Sequence, residues 1–108
     1  GFISRDNRIG GFRHIFDWIR TDPDPGVARA WFFNRMLAWE SQVPALFFAQ
    51  HYLHELLQNG EHVAAVKLIM RCRMVDAGFQ PLEEDRAAAI EAAEAVSNDD
   101  LAARLRRF

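Results

Sequence analysis

Apolar residues in this chain recur at three- and four-residue spacing over successive stretches, and nowhere does a stretch alternate apolar with polar residues. This pattern limits the fold more than any other feature. A helix turns about 100° per residue, so spacing of i, i+3, i+4 and i+7 lays one apolar stripe along one face. A half-buried strand needs a period of two. The 108 residues therefore read as one all-α domain: about six helices in antiparallel pairs, arranged as a small bundle or a short α-solenoid.

Glycine, proline and capping residues divide the helices. Gly10-Gly11 precedes a first helix over about Phe12 to Arg20, with Phe12, Ile15, Phe16 and Ile19 on one stripe. Asp24 is placed to cap a second helix, Pro25 to Glu40, because proline at the first helical position loses no needed donor. Ser41 is the next capping residue, and Pro44 is tolerated in the first turn of a third helix ending near Asn59. Gly60 suits a left-handed closure there. The fourth helix runs from Glu61 to Ala77, with Gly78 expected to close it in the same way. A fifth spans Pro81 to Val96. Ser97 with Asp100 resembles a capping box for a short sixth, Asn98 to Arg107, carrying Leu101, Leu105 and Phe108. The connections are short, so successive helices are expected to pack as neighbours.

On helix three, Ala45, Phe48, Ala49, Tyr52, Leu53, Leu56 and Leu57 form one half of the wheel. Gln50, His51, His54, Glu55 and Gln58 form the other, with Phe47 among them. Helix two carries Trp31, Phe32 and Phe33 in succession, then Met36, Leu37 and Trp39. Such a helix must be wrapped by neighbours or contribute to an interface. Helix four has a stripe of Ala64, Ala65, Leu68, Ile69, Cys72 and Val75 and a second of Val63, Val66, Met70 and Met74. Helix five is rich in alanine, which buries little area per residue, so the stable core is expected among helices two, three and four.

A formal net charge of −2 argues against broad phosphate-backbone binding, which concentrates positive charge. Nucleic acid is not an expected partner. Cys72 is the only cysteine, so an intrachain disulfide is impossible and a reducing, cytoplasmic setting is the natural reading. No apolar run reaches the roughly 18 residues that span a bilayer. The chain opens on Gly1 instead of Met and reads as a piece of a longer protein, cytoplasmic or membrane-attached. Twelve arginines against one lysine, Lys67, suggest a GC-rich bacterial source.

Ala45 to Ala77 resembles one tetratricopeptide repeat, a helix–turn–helix unit of roughly 34 residues. The turn Gly60-Glu61, then Ala65, Ile69 and Cys72 carry the match, with Tyr52 and Leu56 on the first helix. Leu53 stands where the family has a small residue and Ala77 where it favours proline. Leu82 to Arg107 reads as a second, degenerate unit. The resemblance implies a stacked-hairpin scaffold that binds a peptide or protein.

His54-Glu55-Leu56-Leu57-Gln58 falls one residue short of the zinc-hydrolase pattern His-Glu-x-x-His, because Gln58 replaces the second imidazole. His51 and Glu55 share i, i+4 spacing but leave the ligand set short, and a solvated polar face explains both. Cys72 on an apolar stripe reads as a buried, inert thiol. The basic end Arg104, Arg106 and Arg107 suits a helix C-terminus. The first helix, with Phe12, Trp18 and Arg20, would suit a membrane interface, although Asp17 opposes it and a core-facing role fits better. The leading expectation is a non-enzymatic interaction module without a cofactor, using Trp31, Phe32, Phe33 and Trp39 with Phe47, His51 and His54 to meet a protein or peptide partner or a second copy. The alternatives are a membrane-proximal regulatory domain and a small metal-dependent domain built on the helix-three histidines.

Overall fold

A computed structural model describes residues 15 and 17–107. The expectations for Phe12, Phe16 and Phe108 lie outside those residues. The described chain is all-α, and no strand occurs within it. It divides into two compact units, Gly1–Phe48 and Ala49–Phe108.

In the first unit, residues 17–21 end helix α1. The Thr21 hydroxyl donates to the Trp18 carbonyl at 2.8 Å, satisfying one of the carbonyls a helix end leaves open. The next turn is built by two aspartates: Asp22 accepts from the Asp24 amide at 2.8 Å, and Asp24 accepts from the Val27 amide at 3.2 Å. Asp24 thus caps α2 (Pro25–Leu37) with proline in its first turn, as the sequence implied. Helix α2 stops short of Glu40. Its last turn tightens, with Ala38 and Trp39 donating to Arg35 and Met36, and the Gln42 amide group takes the Leu37 carbonyl at 3.1 Å. Trp39 therefore lies in the turn. Ile19, Phe33, Met36, Ala45 and Phe48 are buried in this unit, and so is Arg29.

Helix α3 (Val43–Gln58) begins in the first unit and contributes its residues from Ala49 onward to the second. There it is followed by α4 (His62–Val75), a 3-10 turn (Glu83–Asp85), α5 (Arg86–Ala95) and α6 (Asp99–Arg106). Gly60, at φ +70, closes α3: the Glu61 amide donates to Leu56 and the Gly60 amide to Leu57. This is the left-handed helix stop that glycine accommodates without a Cβ penalty.

The α5–α6 turn repeats that geometry with a different residue. Ser97 takes φ 60, its amide donating to Glu94 while the Asn98 amide donates to Ala93 at 2.8 Å. Ser97 is thus not the cap expected from the sequence. Closing α5 consumes it, and the Asn98 side chain caps α6 instead by accepting from the Leu101 amide. Gly78 also differs from expectation, since it does not have positive φ. Helix α4 ends in an extended residue, Asp76, whose side chain accepts from the Gly78 amide at 2.9 Å. A local side-chain bond does there what a left-handed glycine would otherwise do.

Helix α4 packs on α5 and α5 on α6. Ala65, Leu68, Ile69 and Cys72 are buried with Ala89, Ala92 and Ala93 and with Leu101 and Leu105. The core therefore reaches beyond helices two to four. Alanine gives up area per residue, but it removes the bulk that would hold helix backbones apart. Arg86 ties the ends together, donating to the Leu105 and Arg106 carbonyls at 2.9 Å each.

Candidate functional site

Trp18, Trp31 and Phe48 of the first unit each lie against Phe32. Trp18 of α1 meets it edge-on at 5.6 Å between ring centroids, and Trp31 does so at 5.0 Å and 88°. Phe48 lies 6.5 Å away between ring centroids, its ring tilted by 49°. These are the offset and edge-to-face arrangements that the ring quadrupole favours. Arg35, one turn on from Trp31, holds its guanidinium 5.4 Å from that ring, a cation–π distance. The arrangement leaves an open cleft of about 320 Å³ lined by Trp18, Ile19, Asp22, Val27, Ala28, Trp31 and Phe32. Among the described residues, Asp22 is the only charged one in the lining, and Trp18 and Trp31 keep 65% and 55% of their surface in solvent. A concave, largely apolar cleft with one charged group is the usual form of a site for an apolar side chain.

The expected interaction residues separate under this geometry. Trp31 and Phe32 line the cleft. Phe33 is 3% exposed and belongs to the core, because three consecutive helical residues face three directions and the third faces inward with Met36. Trp39 is exposed, in the turn after α2. Phe47 is about half exposed, yet it has interactions within the chain and is not a free anchor. Trp18 was missed as an interaction residue. It lies off the apolar stripe of the first helix and entered only the membrane-interface reading, and no sequence spacing links α1 to α2.

His51 and His54 fall in the second unit, and that face of α3 is not simply solvated. The connection between α4 and α5 lies against it. Gln50 donates to the Gln80 carbonyl at 2.8 Å, and His54 Nδ1 meets Asp85 Oδ1 at 2.8 Å. Asp85 is buried, with a side chain only 3% exposed, whereas His54 keeps 43% of its side chain exposed. The hydrogen bond to Asp85 is the main cause holding His54 above its ordinary value of 6.5. His51 moves the opposite way: partial burial, then the neighbouring His54, push it below 6.5. Asp85 was legible only as part of the acidic run Glu83-Glu84-Asp85, which gives no hint that its third member turns inward.

The arrangement orients one imidazole against one buried carboxylate. Among the described residues, no three His, Cys, Asp or Glu side chains come together as metal ligands do. Cys72 is buried, and burial pushes its thiol up to about 12, far from the thiolate that nucleophilic chemistry needs. No helix among the described residues is long and apolar enough to cross a membrane. Comparison with protein-family models, curated proteins and solved structures finds no match for this chain.

Proposed function

We propose that this chain is a non-enzymatic interaction module that binds a protein or peptide partner through the aromatic cleft of its first unit. The carrying observation is the pair of half-exposed tryptophans, Trp18 and Trp31, held edge-on to Phe32 around the 320 Å³ cleft. Rigid aromatic walls lose little conformational freedom on binding, and tryptophan dominates the energetics of many interfaces. The occupant is an apolar side chain, with Asp22 available to a donor beside it.

The tetratricopeptide-like scaffold belongs to the same reading. Its support is that α3–α4 and α5–α6 are each joined by three residues with the same left-handed closure, at Gly60 and Ser97. Their separation is near the roughly 34-residue unit of that family.

Selection from a library of short random peptides tests the proposal. Enriched peptides should share an apolar anchor. Their affinity should fall about ten-fold or more in the double variant Trp18→Ala, Trp31→Ala, while thermal melts show the variant still folded. Failure to enrich any peptide, or enrichment indifferent to the double variant, would overturn it.

A further inference from the structure

A second surface, independent of the cleft, lies on α4. The buried residues of this helix, Ala65, Val66, Leu68, Ile69 and Cys72, mark its inner side. Val63, Met70 and Met74, at i, i+7 and i+11, fall on the opposite side of the wheel within about 40° of one another. They are 57%, 45% and 87% exposed. Lys67 shares their line and Arg71 lies at its edge. The face directly away from the core is therefore an apolar ridge about three turns long, where a solvated helix would carry polar residues.

The charge on this helix identifies what fits. Between its capping residues Glu61 and Asp76, helix α4 has no carboxylate; Arg73 donates to the Phe79 carbonyl, and Lys67 is the cation that lies on the ridge itself. We propose that the outward face of α4 docks an acidic amphipathic helix of a partner protein, with the partner's apolar ridge along Val63, Met70 and Met74 and its carboxylates against Lys67. Methionine suits such a role because its flexible, polarisable side chain conforms to different apolar surfaces. The ridge is one side chain wide, which matches a helix lying alongside. A lipid-binding face is broader and relies on Trp, Phe and Leu, none of which lies on this ridge. A second copy of the chain fits less well: the acidic helix of the same unit, α5, exposes the small Ala87 and Ala95 beside Glu91 and Glu94 and offers no long apolar ridge in return.

The test is titration of the isotopically labelled chain with a synthetic helical peptide carrying leucine at i, i+3, i+4 and i+7 flanked by glutamate. Amide shifts should concentrate on α4, and a peptide with lysine in place of glutamate should leave them unmoved. Lys67→Glu and Met74→Glu, both at exposed positions, should leave the melting temperature near wild type and together weaken binding about ten-fold or more. Trp31→Ala should leave this binding unchanged, which separates its failure from failure of the cleft. Absence of shifts on α4, or equal affinity for the basic peptide, would overturn the proposal. So would α4 shifts produced by phosphatidylserine vesicles in place of the peptide, or self-association of the chain that Met74→Glu abolishes.

Discussion

Ten of the chain's 13 aromatic residues (9 Phe, 3 Trp, 1 Tyr) precede Ala49, in the first of the two units. The second unit is built largely with alanine and leucine and holds only Tyr52, Phe79 and Phe108. The unit with the larger apolar side chains is the one that leaves Trp18, Trp31 and Trp39 substantially exposed, while Ala89, Ala92 and Ala93 of α5 are fully buried. Large side chains need large complementary surfaces, and a small unit has few to offer. Small side chains let backbones approach until little surface is left over. Among the described residues, the first unit thus carries the larger exposed aromatic surface. Among the described residues of the second unit, the large apolar side chains left exposed are Val63, Met70 and Met74 on the outer ridge of α4, and Leu82.

The sharpest way to break this contrast is to truncate one side chain in each unit. Leu105 is fully buried on α6, and Leu105→Ala should cost about 3 kcal/mol from lost transfer energy and the cavity left behind. Trp31→Ala removes a larger side chain that is more than half exposed, and should cost less than about 1 kcal/mol. Denaturant unfolding of both variants compares them directly. Equal losses would mean that Trp31 is core and that the aromatic cleft is not surplus surface.

The two left-handed turns sharpen the comparison within the second unit. Gly60→Val should destabilise by about 1–2 kcal/mol, because a β-branched residue resists positive φ. Ser97→Gly should stabilise by about 0.5–1 kcal/mol, since serine already bears that strain at φ 60 and glycine would not. Thermal melts with opposite signs would support the two closures; matching signs would mean that Ser97 does not adopt the left-handed form in solution.

The smallest effect is a dependence on pH. His54 is raised above 6.5 by Asp85, so its stabilising contribution is full below the unfolded value of 6.5 and is lost as pH rises through the folded value. His51 is lowered by burial and by His54, so its contribution is present above 6.5 and is lost as pH falls through the folded value. Together they should give a shallow stability maximum near the ordinary histidine value. Melting temperatures from about pH 5 to 8 for His54→Gln, minus wild type, should flatten the limb above the maximum, and His51→Gln the limb below it. His54→Ala should also melt below His51→Ala, because it strands the buried Asp85 carboxylate. Parallel curves for all the proteins would mean that the His54–Asp85 contact does not form.

Periodicity alone determined that the chain is helical and, within a few residues, where α2 to α6 lie. Punctuation fixed the Asp24 cap and the Gly60 turn, because both depend on chemistry within five residues. The inward face of α3 was largely legible: Ala45, Phe48, Ala49, Leu53 and Leu56 are all buried, and Tyr52 and Leu57 at its margins are partly so. What lies against the other face was not, since the 31 positions separating His54 from Asp85 carry no periodic signal. The same holds for Trp18 and Phe32, whose edge-on contact depends on how the Asp22–Asp24 turn directs α2. It holds for Ser97 too, where helix closure and capping competed for one residue and neighbouring Asn98 took the cap. Sequence determines which faces are apolar because that is a property of one helix; only tertiary structure decides which apolar face is left over, because that depends on the area its neighbours present.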